Sequence, residues 1–286
     1  LSTKPNDWIK VYQKKIDGHL KTIIQKTSWD PLLKKASLYS LDTGKRLRPI
    51  LALLLQKPSK KINDSVLDAV CALELVHNYS LIHDDLPCMD DDDYRRGKLS
   101  LHKAFPEWVA LLTADAFLTK AFELLASVNF PSSQKIHLIQ ILSHYSGGEY
   151  LISGQILDLN SANISLDQQM AIKINMQKTS SLLMASLLMG SVIARYSSSL
   201  QPLMIEMGKN MGIYYQILDD LQDYKSKRNA HKKHISLNLV KIIGKGSTLK
   251  LANFYKNKIT QNLEILKKHI PLININLLSS LIEGWK

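Results

Sequence analysis

The chain has 286 residues, 45% of them hydrophobic, and a formal net charge of +12, enough apolar material for one large core or two modest domains. Its two cysteines, Cys71 and Cys88, are too few and too far apart for a disulfide framework or a zinc site. The longest nearly apolar run, 182–194, is shorter than the ~18 residues of a membrane span, and the opening residues lack the apolar stretch of a signal peptide, so a soluble, cytoplasmic protein with no membrane span is expected.

Leu, Ile and Ala carry most of the apolar weight, which favours helix over sheet. Helical periodicity fits 7–26, 31–42 and 46–56. The third stretch opens in "TGKRLRP" (43–49), where Lys45, Arg46 and Arg48 sit at a helix start whose backbone N–H groups favour anions. Arg46 is expected at the solvent or against a structural partner. In 65–85, Val66, Val70, Leu73, His77, Ser80 and Asp84 recur at three- and four-residue steps and share one face; Pro87 marks the end of that helix. There follows "LIHDDLPCMDDDDYRRGK" (81–98), with six aspartates in ten positions and then Arg95 and Arg96. His83 points about 100° away from Asp84 around the helix and reads as structural.

Further helices fit 108–127, 132–158, 167–195, 201–226, 236–256 and 257–283. They carry "GQILDL" (154–159), "QKTS" (177–180) and "YYQILDDLQDYK" (214–225). The polar, basic stretch 224–238 reads as a long loop or lid. No alternating strand run, Gly-rich phosphate loop, repeat or long linker is present, so 1–286 reads as a single all-helical domain.

Like charges this close repel unless something positive lies among them. Asp219 and Asp223 are four apart, one above the other on a helix face, with Asp220 beside them. A solvated acidic surface is the bland reading of one such run. Two clusters, each set among apolar residues at helical spacing, point instead to hard divalent cations with oxygen ligands, of which Mg²⁺ shares its shell with phosphate oxygens. The flanking Lys and Arg residues then hold the remaining oxygens of a diphosphate. Asp91, Asp92 and Asp93 extend the acidic field and receive no direct metal bond.

"GKRLRP", "LIHDDLPCMDDDDYRRGK", "GQILDL", "KTS" and "YQILDDLQD" stand in the order and spacing of the trans-isoprenyl diphosphate synthases, and the chain resembles that family over roughly 40–250, most of all its bacterial farnesyl-forming branch. The resemblance implies an all-α isoprenoid-synthase helical bundle around a deep apolar cavity, assembled as a homodimer. It implies head-to-tail transfer, in which Mg²⁺ (three ions with substrate bound) draws diphosphate from an allylic substrate and isopentenyl diphosphate attacks the resulting cation, with loss of a proton. Position by position, Asp84, Asp85 and Asp90 resemble the first metal motif, and Asp219, Asp220 and Asp223 the second. Lys45, Arg48, His77 and Arg96 resemble the isopentenyl diphosphate site. Arg95, Lys178, Lys233 and Lys245 resemble contacts to the allylic diphosphates, and Gln155 lies near that substrate. Thr179 and Gln216 resemble residues close to the developing cation. Tyr79, five residues and so about 7.5 Å of helix rise before Asp84, resembles the aromatic that floors the cavity in farnesyl-forming members, with Ser80 beside it.

Two features depart from the family pattern. No glycine precedes Lys233, so that Lys232 is an alternative, and Gly246 interrupts the later "GKST"-like stretch in "GKGSTLK" (244–250). Other readings are a twenty-carbon product, a non-catalytic regulatory subunit, a terpene cyclase and a basic nucleic-acid binder. Intact aspartate motifs argue against the regulatory subunit, and "DDLQD" lacks the Asn/Ser/Glu-type pattern of a cyclase. No contiguous basic stripe supports the nucleic-acid binder.

Overall fold

The computed structural model describes residues 5–56, 62–226 and 237–285. Among these, helices account for nearly all the regular structure, and the chain divides into two compact units: the described parts of Leu1–Ile50 with Ile62–Ile139, and of Leu51–Lys61 with Gln140–Lys286.

The first unit is organised around α4 (Asp64–Asp84). Asn63 starts it by accepting the Val66 N–H at 3.0 Å, which satisfies an otherwise orphaned donor. The helix is apolar on every side rather than along one stripe, the pattern of a helix buried all round. Val70, Cys71, Leu73, Leu75 and Val76 are wholly enclosed, and each of the larger ones contributes roughly 1.5–3 kcal/mol. Among the described helices α4 alone is long and apolar enough to cross a membrane, but 61% of that stretch is buried inside the protein. It is covered by α1 (Pro5–Gln25), α2 (Pro31–Leu41) and α6 (Glu107–Ser127). Asp30 accepts the Leu32 N–H at 2.8 Å and Pro31 opens α2, the capping chemistry helix starts favour.

Between α4 and the short α5 (Leu101–Ala104) lies a small hairpin, β1 (Tyr94–Arg95) against β2 (Lys98–Leu99), where no strand was expected. Its two-residue loop is Arg96–Gly97, both at positive φ (54° and 78°), as a type I′ turn requires. α3 (Leu47–Leu54) and α7 (Ser132–Ser146) run across the divisions at Ile50/Leu51 and Ile139/Gln140.

In the second unit, α8 (Leu151–Leu159), α9 (Gln168–Asn175), α10 (Ser181–Ala194), α11 (Gln201–Ser226), α12 (Leu239–Leu266) and α13 (Leu272–Glu283) follow in order. Expected boundaries shift at three places. The stretch 132–158 is two helices, α7 and α8, parted at Gly147–Gly148. The stretch 167–195 is interrupted by a wide turn of π type at Met176–Ser180. The expected break at 256/257 is absent, because nothing in "FYKNKITQNLEIL" stops a helix; α12 runs to Leu266, and Pro271 caps the start of α13. Its real interruption is Gly244, non-helical at φ 77° and ψ 154°. α10 is almost wholly buried, and Gly208 of α11 lies so near it that a Cβ would stand 2.6 Å from the Met184 Cα.

Candidate active site

In the first unit, α4 presents His77, Ser80 and Asp84 along one side and ends at Asp85. The loop that follows is a closed turn: the Asp90 N–H donates to the Asp84 carbonyl at 2.8 Å, and the Met89 and Asp91 N–H groups donate to the Leu86 carbonyl at 2.9 and 3.1 Å. The four residues between Asp85 and Asp90 thus return the third aspartate of the motif to the first. Asp85 is 3% exposed. Arg95 Nε donates to it at 2.9 Å and Arg95 Nη2 donates to the same carboxylate. Burial pushes Asp85 up to about 6 although Arg95 pulls it down: removing this carboxylate from water costs more than one guanidinium returns.

Arg96 is held by its turn and by donation from Nη1 to the Thr43 carbonyl at 2.5 Å, and its Nη2 lies 3.4 Å from His77 Nε2. Burial, then Arg48, Arg96, Arg95 and Arg46, hold the His77 imidazole well below its usual range, so it is neutral near pH 7. Gly44 explains the crowding, since a Cβ there would stand 2.6 Å from Arg46 Nη1 and 2.7 Å from Arg96 Nη1. Arg46 itself is 2% exposed and pairs with Asp17 at 2.6 Å and Glu74 at 2.8 Å; of its two expected places, solvent is excluded and the structural partner is found. Arg48 is half-buried and Lys45 exposed at the mouth of α3. A small open cleft is lined by Thr43, Asp85, Arg95, Arg96 and Lys98 among others. Tyr79 is buried, its ring edge-on to His83 at 5.1 Å, and the Ser80 hydroxyl donates to the His77 carbonyl at 2.9 Å.

The second unit builds its centre on the π turn, a device frequent at functional sites. Two glycines let neighbouring helices press on it: a Cβ on Gly154 of α8 would run into Lys178 N, and one on Gly212 of α11 into Ser180. The turn sets Lys178 against Asp158 at 2.7 Å and the Thr179 hydroxyl to donate to Gln216 Oε1 at 3.2 Å. Gln216 Nε2 then donates to Asp220 Oδ1 at 3.0 Å, and the Leu239 N–H to Asp220 Oδ2 at 2.8 Å. Asn238 caps α12 and donates to the Asp220 carbonyl at 3.1 Å. Asp220 is 3% exposed, and burial pushes it up to about 7 against the pull of the Leu239 and Gln216 donors, with Asp219 and Asp223 raising it further. Asp219 is exposed and Asp223 half-buried one turn on. Gln155 Nε2 is buried without a hydrogen-bond partner among the described residues.

The structure brings His77 beside Arg96, the Asp90 backbone to that of Asp84, and Thr179 to Gln216. Asp85 and Arg95, expected on different ligands, pair with each other. Lys245 is exposed just after the Gly244 break, and Lys233 lies outside the described residues. Sequence reasoning passed over Asp158, although it stands in the quoted "GQILDL", and Asn238. It also passed over His102, whose ring lies with Asp91 and Asp93.

The model of the polyprenyl synthetase family matches residues 30–267. The chain belongs to this family. It is 36% identical to the farnesyl diphosphate synthase of Micrococcus luteus over 86% of each chain. With that of Buchnera aphidicola it shares 35% identity over 96% of this chain and 95% of the other. A geranyltransferase from Helicobacter pylori, solved with magnesium and isoprenyl diphosphate, superposes with a TM-score of 0.84 at 30% identity, covering 99% of both chains. Geranylgeranyl diphosphate synthases are also among the relatives. The family implies magnesium, and the residues present fit it: each centre offers carboxylate oxygens only, from Asp84, Asp85 and Asp90 or from Asp219, Asp220 and Asp223, the hard donor set Mg²⁺ takes while keeping places for water and phosphate.

Proposed function

We propose that the protein is a short-chain trans-prenyltransferase that condenses isopentenyl diphosphate with dimethylallyl and then geranyl diphosphate to give farnesyl diphosphate. The observation that carries this reading is the pairing of two three-carboxylate motifs with a cationic set in a chain of the polyprenyl synthetase family. Bound magnesium supplies Lewis acidity for departure of the allylic diphosphate. In this reading Asp84, Asp85 and Asp90 hold metal in the first motif and Asp219, Asp220 and Asp223 in the second. Lys45, Arg48, Arg96 and neutral His77 grip isopentenyl diphosphate through charge-assisted hydrogen bonds. Arg95, Lys178, Lys233 and Lys245 grip the allylic diphosphate, Lys178 being steered by Asp158 and Arg95 parked on Asp85 until a phosphate oxygen replaces it. Gln216, its Nε2 committed to Asp220, turns its amide oxygen with the Thr179 hydroxyl toward the developing cation. Gln155, with an amide nitrogen still to be satisfied, contacts the allylic substrate. Tyr79, with Ser80, stops elongation. A second copy of the chain would cover Trp108, Leu111 and Leu112, exposed together on α6 at 59%, 43% and 52%.

The test is incubation with isopentenyl and dimethylallyl diphosphates, with and without Mg²⁺, followed by dephosphorylation and chromatography. A Mg²⁺-dependent farnesol peak is expected. Geranylgeraniol would retain the chemistry and remove Tyr79 as the floor. Absence of product from folded protein would overturn the enzyme reading. The Asp84→Ala and Asp219→Ala variants are expected to lose several orders of magnitude in turnover, and near-normal rates in either would sink the metal assignment.

A further inference from the structure

Beyond the motif aspartates, the segment after Asp90 gathers a different set of donors. Asp91, Asp93 and His102 each bring one ligand atom within 4.8 Å of the others. The arrangement is built by the backbone: Asp91 sits at φ 49°, the Ser100 N–H donates to the Asp93 carbonyl at 2.9 Å, and α5 then carries His102 back over the loop. The His102 side chain is 3% exposed. Its Nδ1 lies 3.2 Å from Ser100 Oγ. Its Nε2 is buried with no hydrogen-bond partner among the described residues, the Asp91 carboxylate standing 3.9 Å off. That separation is too long for a hydrogen bond and leaves room for an ion between nitrogen and oxygen. Lys103 holds Asp93 Oδ1 at 2.9 Å, and the second carboxylate oxygen remains as a donor. With Nδ1–H donating to Ser100, Nε2 presents its lone pair, and a metal-bound histidine commonly has its other nitrogen fixed in this way.

We propose that, contrary to the expectation that Asp91 and Asp93 take no direct metal bond, they form with His102 a divalent-cation site separate from the two aspartate motifs, selective for a first-row transition ion such as Mn²⁺, Co²⁺ or Zn²⁺. The imidazole sets the selectivity. Oxygen-only centres suit Mg²⁺, whereas nitrogen ligation raises affinity along the transition series. An ion here ties the loop that begins at Asp90 to α5, fixing the segment from which Arg95 and Arg96 project.

The test uses the tag-free full chain in millimolar Mg²⁺, so that oxygen-only sites are filled, titrated with Mn²⁺ and read by pulsed electron paramagnetic resonance for coupling to a histidine nitrogen. The expected result is nitrogen coupling in the wild type that disappears in His102→Gln. Asp93→Asn, outside the transferase machinery, is expected to bind Mn²⁺ at least about tenfold more weakly, the lower end of what loss of even an outer-sphere partner costs. No nitrogen coupling in the wild type, or undiminished coupling in His102→Gln, overturns the proposal. Should His102→Gln fail to fold, unchanged Mn²⁺ affinity in Asp93→Asn overturns it equally. The readout is binding, so it stands or falls apart from the transferase activity.

Discussion

Asp220 makes the stability of the protein depend on pH. Its side chain is 3% exposed, and burial raises it from 3.8 to about 7. A folded-state value above the unfolded one means that the native protein holds a proton the unfolded chain has already lost. Stability therefore falls as pH rises from the unfolded value to about 7 and is level above it. Each unit is worth about 1.36 kcal/mol, so between pH 5 and pH 8 the metal-free protein should lose roughly 2–3 kcal/mol through this one group. Asp220→Asn removes the titration while leaving an oxygen to accept the Leu239 N–H. Its amide nitrogen meets the Gln216 Nε2 donor, a conflict that shifts the stability gap between the two proteins by a constant. Only the pH dependence of that gap matters. Urea unfolding of wild type and variant in a chelating buffer at pH 5 and pH 8 should show the variant gaining by those 2–3 kcal/mol relative to wild type. Adding Mg²⁺ with inorganic diphosphate, which selects the ionised carboxylate, should shrink the change. A gap that is the same at both pH values would refute a proton held on Asp220 and the burial argument with it.

Arg46→Met leaves Glu74 buried without its guanidinium and should cost about 3–5 kcal/mol in urea unfolding; the double variant Arg46→Met/Glu74→Gln should recover part of it, and a single-variant cost under about 1 kcal/mol would show the pair to be dispensable. Gly212→Ala should forgo the ~1 kcal/mol an alanine normally adds to a helix, because its Cβ meets Ser180, and turnover should fall as Lys178 and Thr179 shift. Gly18→Ala on α1, where nothing lies within 4 Å, is the control and should raise the unfolding midpoint. Tyr79→Ala should lengthen the product beyond fifteen carbons, and chromatography showing an unchanged chain would leave Tyr79 as core packing.

What could be read from the sequence was local. The second aspartate motif lies on one helix and the first begins on one, so spacing alone put Asp219 above Asp223 and His77 two turns before Asp84. The hairpin was also legible in principle, since a Gly-containing pair between "YR" and "KL" is a two-residue turn signal, but strands this short leave no alternation to detect. Long-range partnerships were not legible. Arg46 looks like any arginine in a basic run until Asp17, 29 residues before it, and Glu74, 28 after, are folded against it. The same holds for Lys178 and Asp158, 20 residues apart.

The π turn shows the limit most plainly. "MQKTS" carries no mark of a widened helix, because the extra residue is imposed by what presses on the turn. Its signature is at a distance, in Gly154 and Gly212, the two places where α8 and α11 must approach without a side chain. A helix there with ordinary winding would turn Thr179 by about 100° for each residue of slippage, taking its hydroxyl from Gln216 and breaking the chain of donors that runs through Gln216 to Asp220. The orientation of the groups assigned to the cation thus depends on two glycines that carry no functional group, and a reading confined to charged motifs passes over them.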